Sequence, residues 1–150
     1  MPLTPPHSIT LDQAVEDFAA APPLRRVAEW IERLDASADT KALLMDLARV
    51  TVSVGGKIIA FGRKVLEIVF TLVAKFQNLT FGVIIALVLS SVIATIPFLG
   101  PVMTAILTPI MLAYGIARGA MQDFKDATIR SELDALSSKL ALMSNHMVAA

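Results

Sequence analysis

The chain has no cysteine, so disulfides, thiolate zinc sites and a cysteine nucleophile are excluded. Histidine is scarce as well. His7 and His146 stand near opposite ends of the 150 residues, neither has a carboxylate or second histidine at ligand spacing on a predicted helix, and no metal site is expected. An excess of one charge sign is missing. Thirteen Lys and Arg balance thirteen Asp and Glu, which removes the electrostatic case for nucleic-acid binding. The opening MPLTPPHSITLDQAVEDF has no basic start and no apolar core, so no cleavable signal is expected.

The largest absence is local. From Phe76 to Ala117 there is no charged residue over 42 consecutive positions. Hydrophobic residues make up 55% of the chain and charged ones 17%, against about 45–50% and about 25% in ordinary soluble domains. A bilayer core needs roughly 17–25 helical residues per crossing, so the run accommodates two short crossings. Leu79–Ile96 supplies 18 residues and Pro101–Ala117 supplies 17. Between them lies IPFLGP. Pro97 disfavours helix at Ile96, Gly100 permits positive φ and Pro101 suits the first turn of a new helix. The segment predicts a hairpin turn. Pro109 is expected to kink the second arm.

Small residues recur every four positions on both arms: Gly82, Ala86, Ser90 and Ala94 on the first, Ala105, Ala113 and Ala117 (with Pro109) on the second. Such faces let helix backbones approach closely in lipid, so they are the expected helix-packing ridges.

Residues 57–76, placed on a helical wheel, gather Lys57, Arg63, Lys64 and Lys75 with Glu67 in one arc and apolar side chains over most of the rest. This pattern predicts a helix lying in the membrane interface, with those four cations on anionic lipid headgroups; packing against other protein with one wet face, and a pore-lining or spanning third membrane helix, are the alternatives. Gly55-Gly56 would be a hinge in front of it. Gly55-Gly56-Lys57 lacks the strand and the further spacing of a phosphate loop.

The first fifty residues read as cytosolic amphipathic helices. Thr10 to Gln13 fits a capping box for a helix from Leu11 to near Ala20. Pro22 and Pro23 break the chain before a helix carrying Leu24, Val27, Ile31 and Leu34. A third helix is expected from about Thr40 to Val50, capped by Asp39. Trp30 is expected in a core. The carboxylates, Asp12, Glu16 and Asp17 or Glu29, Glu32 and Asp35, fall on faces expected to be solvated, and no acid–base role is assigned to them. After Arg118 the positions Ile129, Leu133, Leu136, Leu140, Met143 and Met147 follow coiled-coil spacing. Leu133, Leu136, Leu140 and Met143 are the expected self-association seam; folding back on the N-terminal helices is the other use of the same face.

Cations flank the uncharged run on both sides, at Lys57, Arg63, Lys64 and Lys75 and again at Arg118, Lys125 and Arg130. By the positive-inside rule both termini are cytoplasmic and the turn points outward. The expected fold is therefore an all-α membrane protein in a bacterial inner membrane. Residues 1–50 form a cytosolic helical segment and 51–76 a basic interfacial helix. Residues 77–118 form a two-helix transmembrane hairpin and 119–150 a cytosolic amphipathic or coiled-coil helix. The expected partners are a bilayer with anionic lipids and either further copies of the chain or a membrane complex. No cofactor and no enzymatic activity are expected. The role is anchor or scaffold, with a pore as its sharper form. The alternative is a soluble protein that inserts a buried hydrophobic hairpin. In layout the chain resembles a pore-forming colicin domain, and holins in having a short hairpin with cytoplasmic ends; neither likeness rests on a residue motif.

Overall fold

The computed structural model describes residues 10–77, 79–96, 100–113 and 127–149. Among these residues are seven helices and three short strands. Helix α1, Leu11–Ala19, opens on the expected capping box: the Thr10 hydroxyl accepts from the Gln13 amide at 3.2 Å and the Thr10 amide donates to Gln13 Oε1 at 3.0 Å. Helix α2, Leu24–Glu32, follows the proline pair and buries Val27 and Ile31. Helix α3, Ala38–Ala48, begins earlier than the sequence suggests. Ser37 rather than Asp39 is its cap, accepting from the Thr40 amide at 3.2 Å. Lys41 Nζ donates to the Glu32 carbonyl at 2.8 Å, which joins α3 to the C-terminal end of α2.

Residues 51–76 are not one helix. Val52–Val54 and Lys57–Ile59 form strands β1 and β2, paired antiparallel with Val52 opposite Ile59. Gly55 and Gly56 both have positive φ, 58° and 86°, the geometry of a two-residue hairpin turn that only residues such as glycine adopt freely. The predicted hinge is thus a β-turn, and Lys57 belongs to a strand rather than to the basic helix face. Val52, Val54 and Ile59 point into the core. Their alternation with Ser53 is the reason a strand forms here. A third strand, β3, Met147–Ala149, pairs antiparallel with β1 and gives the order β2-β1-β3.

Helix α4, Phe61–Lys75, follows directly and packs on α1, α2, α3 and α5. Its start is tightly constrained. A Cβ on Gly62 would meet the Leu47 carbonyl oxygen at 1.6 Å, so α4 crosses the end of α3 at a distance that only glycine allows.

The uncharged run contains helices α5, Phe81–Thr95, and α6, Gly100–Ala113. Thr80 caps α5, its hydroxyl accepting from the Val83 amide at 3.3 Å. Gly100 is the first residue of α6 instead of a stop, and Pro101 occupies the first turn as expected. Pro97 and Ala117 lie outside the described residues. No helix among the described residues is long and apolar enough to cross a membrane; α5 has 15 residues and α6 has 14. The last helix, α7, Ala127–Ser144, lies against α5 and α1.

One core joins these elements. α5 is its centre, burying Ile84, Ile85, Ala86, Leu87, Val88, Leu89 and Val92 between α4 and α7. Each large aliphatic side chain buried this way contributes about 1.5–3 kcal/mol. Phe18 stacks on Phe61 at 5.7 Å between ring centres, tying α1 to α4. Trp30, Phe70 and Phe81 form a chain of ring contacts at 5.5 and 5.4 Å across α2, α4 and α5.

Candidate functional site

The site is built on the polar stripe of α4. Lys64, Glu67 and Thr71 recur at three- and four-residue spacing, so they share one face. Lys64 is buried, Glu67 half-buried and Thr71 exposed along that face. α1 and α7 lie over it and bring Asp17, Glu132 and Lys139. Between the three helices is a cavity of about 230 Å³ with these polar groups above an apolar floor of Ile68, Leu72 and Leu136.

The charges in this cleft are paired. Lys64 Nζ lies 2.7 Å from a Glu67 carboxylate oxygen and 3.6 Å from one of Asp17. Lys139 Nζ donates to the other Asp17 oxygen at 2.7 Å. Lys75 pairs with Glu132 at the cleft's edge. Asp17 therefore bridges a lysine of α4 and a lysine of α7. Burial pushes its carboxyl up, but the Lys139 hydrogen bond and the charges of Lys64 and Lys139 outweigh this and hold it below its ordinary value of 3.8. Lys64 is 8% exposed and is the one buried charged residue among the described residues. A charge so placed is tolerated only while its partners remain.

A second cavity, a groove of about 360 Å³, lies between α5 and α7. Ser90, Ser91 and Ala94 line one wall, Arg130, Asp134 and Ser137 the other. The Ser91 hydroxyl donates to the Leu87 carbonyl at 3.0 Å, which satisfies a polar group on an otherwise apolar helix. α7 is thus hollow on both flanks. Its apolar seam closes the space between: Ile129, Leu136, Leu140 and Met143 are buried, and Leu133 is half-buried.

The predicted residues are redistributed by this arrangement. Of the four expected headgroup cations, Lys64 and Lys75 are in ion pairs, Arg63 is half-buried and Lys57 is exposed on β2. Ser90 and Ala94 face α7 across the groove rather than α6. Ala86 is buried and Gly82 half-buried, while Ala105 and Ala113 lie on the exposed side of α6. α6 packs chiefly on α3 and touches α5 less. Leu136, Leu140 and Met143, expected to pair copies, are occupied within the chain. Sequence reasoning missed Asp17, Glu132 and Lys139 as cleft residues. The available signal was only that Asp17 and Lys139 sit on amphipathic helices. Among the described residues no group of three or more potential metal ligands converges.

Comparison with protein-family models, with curated proteins and with solved structures gives no match.

Proposed function

We propose that the chain is a non-enzymatic, membrane-active protein and that this fold is its stored form. In this form most of α5 is kept from water between α4 and α7 until the chain meets a bilayer. The observation that carries this reading is the position of α5. It carries no charge, it buries Ile84 to Leu89 and Val92 while Val83 and Ile93 stay 39% and 40% exposed, and the helices beside it hold Lys64 and Lys139 in an ion-paired cleft with α1. Helices hydrophobic all round belong either in a core or in a membrane. α4 and α7 cannot follow α5 into lipid with Lys64, Glu67 and Lys139 attached, because each charge at mid-bilayer costs several kcal/mol. Insertion therefore separates α5 from its cover. The uncharged stretch 76–117 then supplies two short spans, and flanking cations keep both ends on the cytoplasmic side. Once in lipid, the small-residue faces of the two arms are free to pack, in a hairpin or between copies.

A permanently inserted hairpin is the second reading. It is favoured by the outer face of α6, where Leu112 is 75% exposed. Preparation without detergent separates the two. The stored form predicts a folded protein in water that floats with added vesicles and then protects residues 76–117 from protease. Extraction by detergent alone, from the first fraction onward, favours the permanent hairpin. Failure to float with any vesicle overturns both.

A further inference from the structure

We propose that the cleft between α1, α4 and α7 is a docking surface for the headgroup of an anionic phospholipid, masked in the stored form by its own carboxylates. The proposal rests on the membrane-active reading and adds to it the lipid class and the residues that meet it.

Three features of the cleft carry the argument. First, Lys64, Lys75 and Lys139 stand along it, each paired with Asp17, Glu67 or Glu132. The carboxylates occupy the positions that phosphate oxygens would take beside an ammonium group, so they act as built-in competitors. Second, the cavity is amphipathic. Its floor of Ile68, Leu72 and Leu136 lies beneath the charged rim, which suits a molecule with an anionic head and an apolar continuation better than free phosphate. Third, Lys64 is buried, and among the described residues its charge is compensated by Asp17 and Glu67 of the cleft. When a substitution removes that compensation, an unpaired buried ammonium is strongly unfavourable, so the cleft opens and a headgroup phosphate supplies the missing countercharge. α7 is the wall that moves. It has a cavity on either side, and β3 fixes its far end to β1. Lifting α7 both uncovers the lysines and removes one side of the cover over α5.

The test compares flotation with vesicles of phosphatidylcholine alone and of phosphatidylcholine mixed with phosphatidylglycerol, all at neutral pH. The variant Asp17→Asn/Glu67→Gln/Glu132→Gln keeps shape and removes the competitors. Each lysine presented to an anionic surface is worth about five-fold in binding, so the variant gains at least about ten-fold on anionic vesicles and little on neutral ones. Inorganic phosphate does not compete. Adding Lys64→Gln, Lys75→Gln and Lys139→Gln to it abolishes the gain. Glu132→Gln alone alters only a partly exposed pair and gains about five-fold, which serves if the triple variant folds poorly. An unchanged affinity in folded Glu132→Gln and triple variants overturns the docking surface, as does an equal rise on neutral vesicles. If wild-type protein still inserts in either case, the membrane-active reading survives; if nothing binds any vesicle, both fall.

Discussion

Helices α5 and α6 come from one uncharged stretch and are both strongly apolar, yet the fold treats them differently. α5 lies between α4 and α7 and buries seven consecutive or near-consecutive side chains, Ile84 to Leu89 and Val92, leaving Val83, Ile93 and Ala94 exposed. α6 lies on α3, buries Leu107 and Ile110, and leaves Ala105, Thr108, Leu112 and Ala113 exposed. Hydropathy is equal to the task of identifying both helices but not of ranking them. What separates them is the number of amphipathic helices that reach each one. α4 and α7 offer α5 apolar faces from two sides, and α6 has a platform on one.

Substitutions can break this contrast, beginning with the most disruptive. Leu89→Asp puts an unpaired carboxylate at the centre of the core and should cost more than about 4 kcal/mol, seen as loss of a cooperative thermal transition. Gly62→Ala acts where the two platforms meet, since α4 carries α5 and α3 carries α6. The added methyl collides with a backbone carbonyl that cannot rotate away. A loss of roughly 3 kcal/mol is expected from overpacking of this kind, and chemical denaturation will measure it.

Asp17→Asn sharpens the comparison instead. It loosens α7 over α5 and leaves α6 on α3 untouched. Because Asp17 is 37% exposed, solvent screening reduces the effect to about 1 kcal/mol. Its depressed acidity fixes the sign of the pH dependence. The stabilisation is fully present above the ordinary carboxylate value and is lost as pH falls through the lower folded value. Wild-type protein should therefore lose more stability than Asp17→Asn between about pH 5 and about pH 2. The smallest effect belongs to α6: Leu112→Gln, on the exposed face, should change stability by less than about 0.5 kcal/mol.

Local signals in the sequence carry much of this fold. Thr10 and Gln13 announce α1, the proline pair separates it from α2, and Pro101 marks the first turn of α6. The β-hairpin is the instructive miss. Val-Ser-Val-Gly-Gly-Lys-Ile-Ile has the paired glycines and flanking apolar alternation of a two-residue hairpin. The strands are only three residues each, and Lys57 falls in register with the cations of α4, so a helical wheel absorbs it. β3 carries no local signal, because its pairing with β1 is a long-range contact. The cleft was half legible. Lys64 and Glu67 plainly share a polar face, but a single sequence does not distinguish a face turned to water or lipid from one covered by helices bringing Asp17 and Lys139. For the same reason the apolar run announces two helices without saying what surrounds them.

The central claim is that α5 is sheltered by protein alone, before any lipid is present. Hydrogen–deuterium exchange in detergent-free, lipid-free buffer tests it directly. The account predicts that residues 84–92 exchange slowest in the chain, through global opening only, and more slowly than 105–113 of α6. Fast exchange in 84–92, or protection that appears only after vesicles are added, would contradict it.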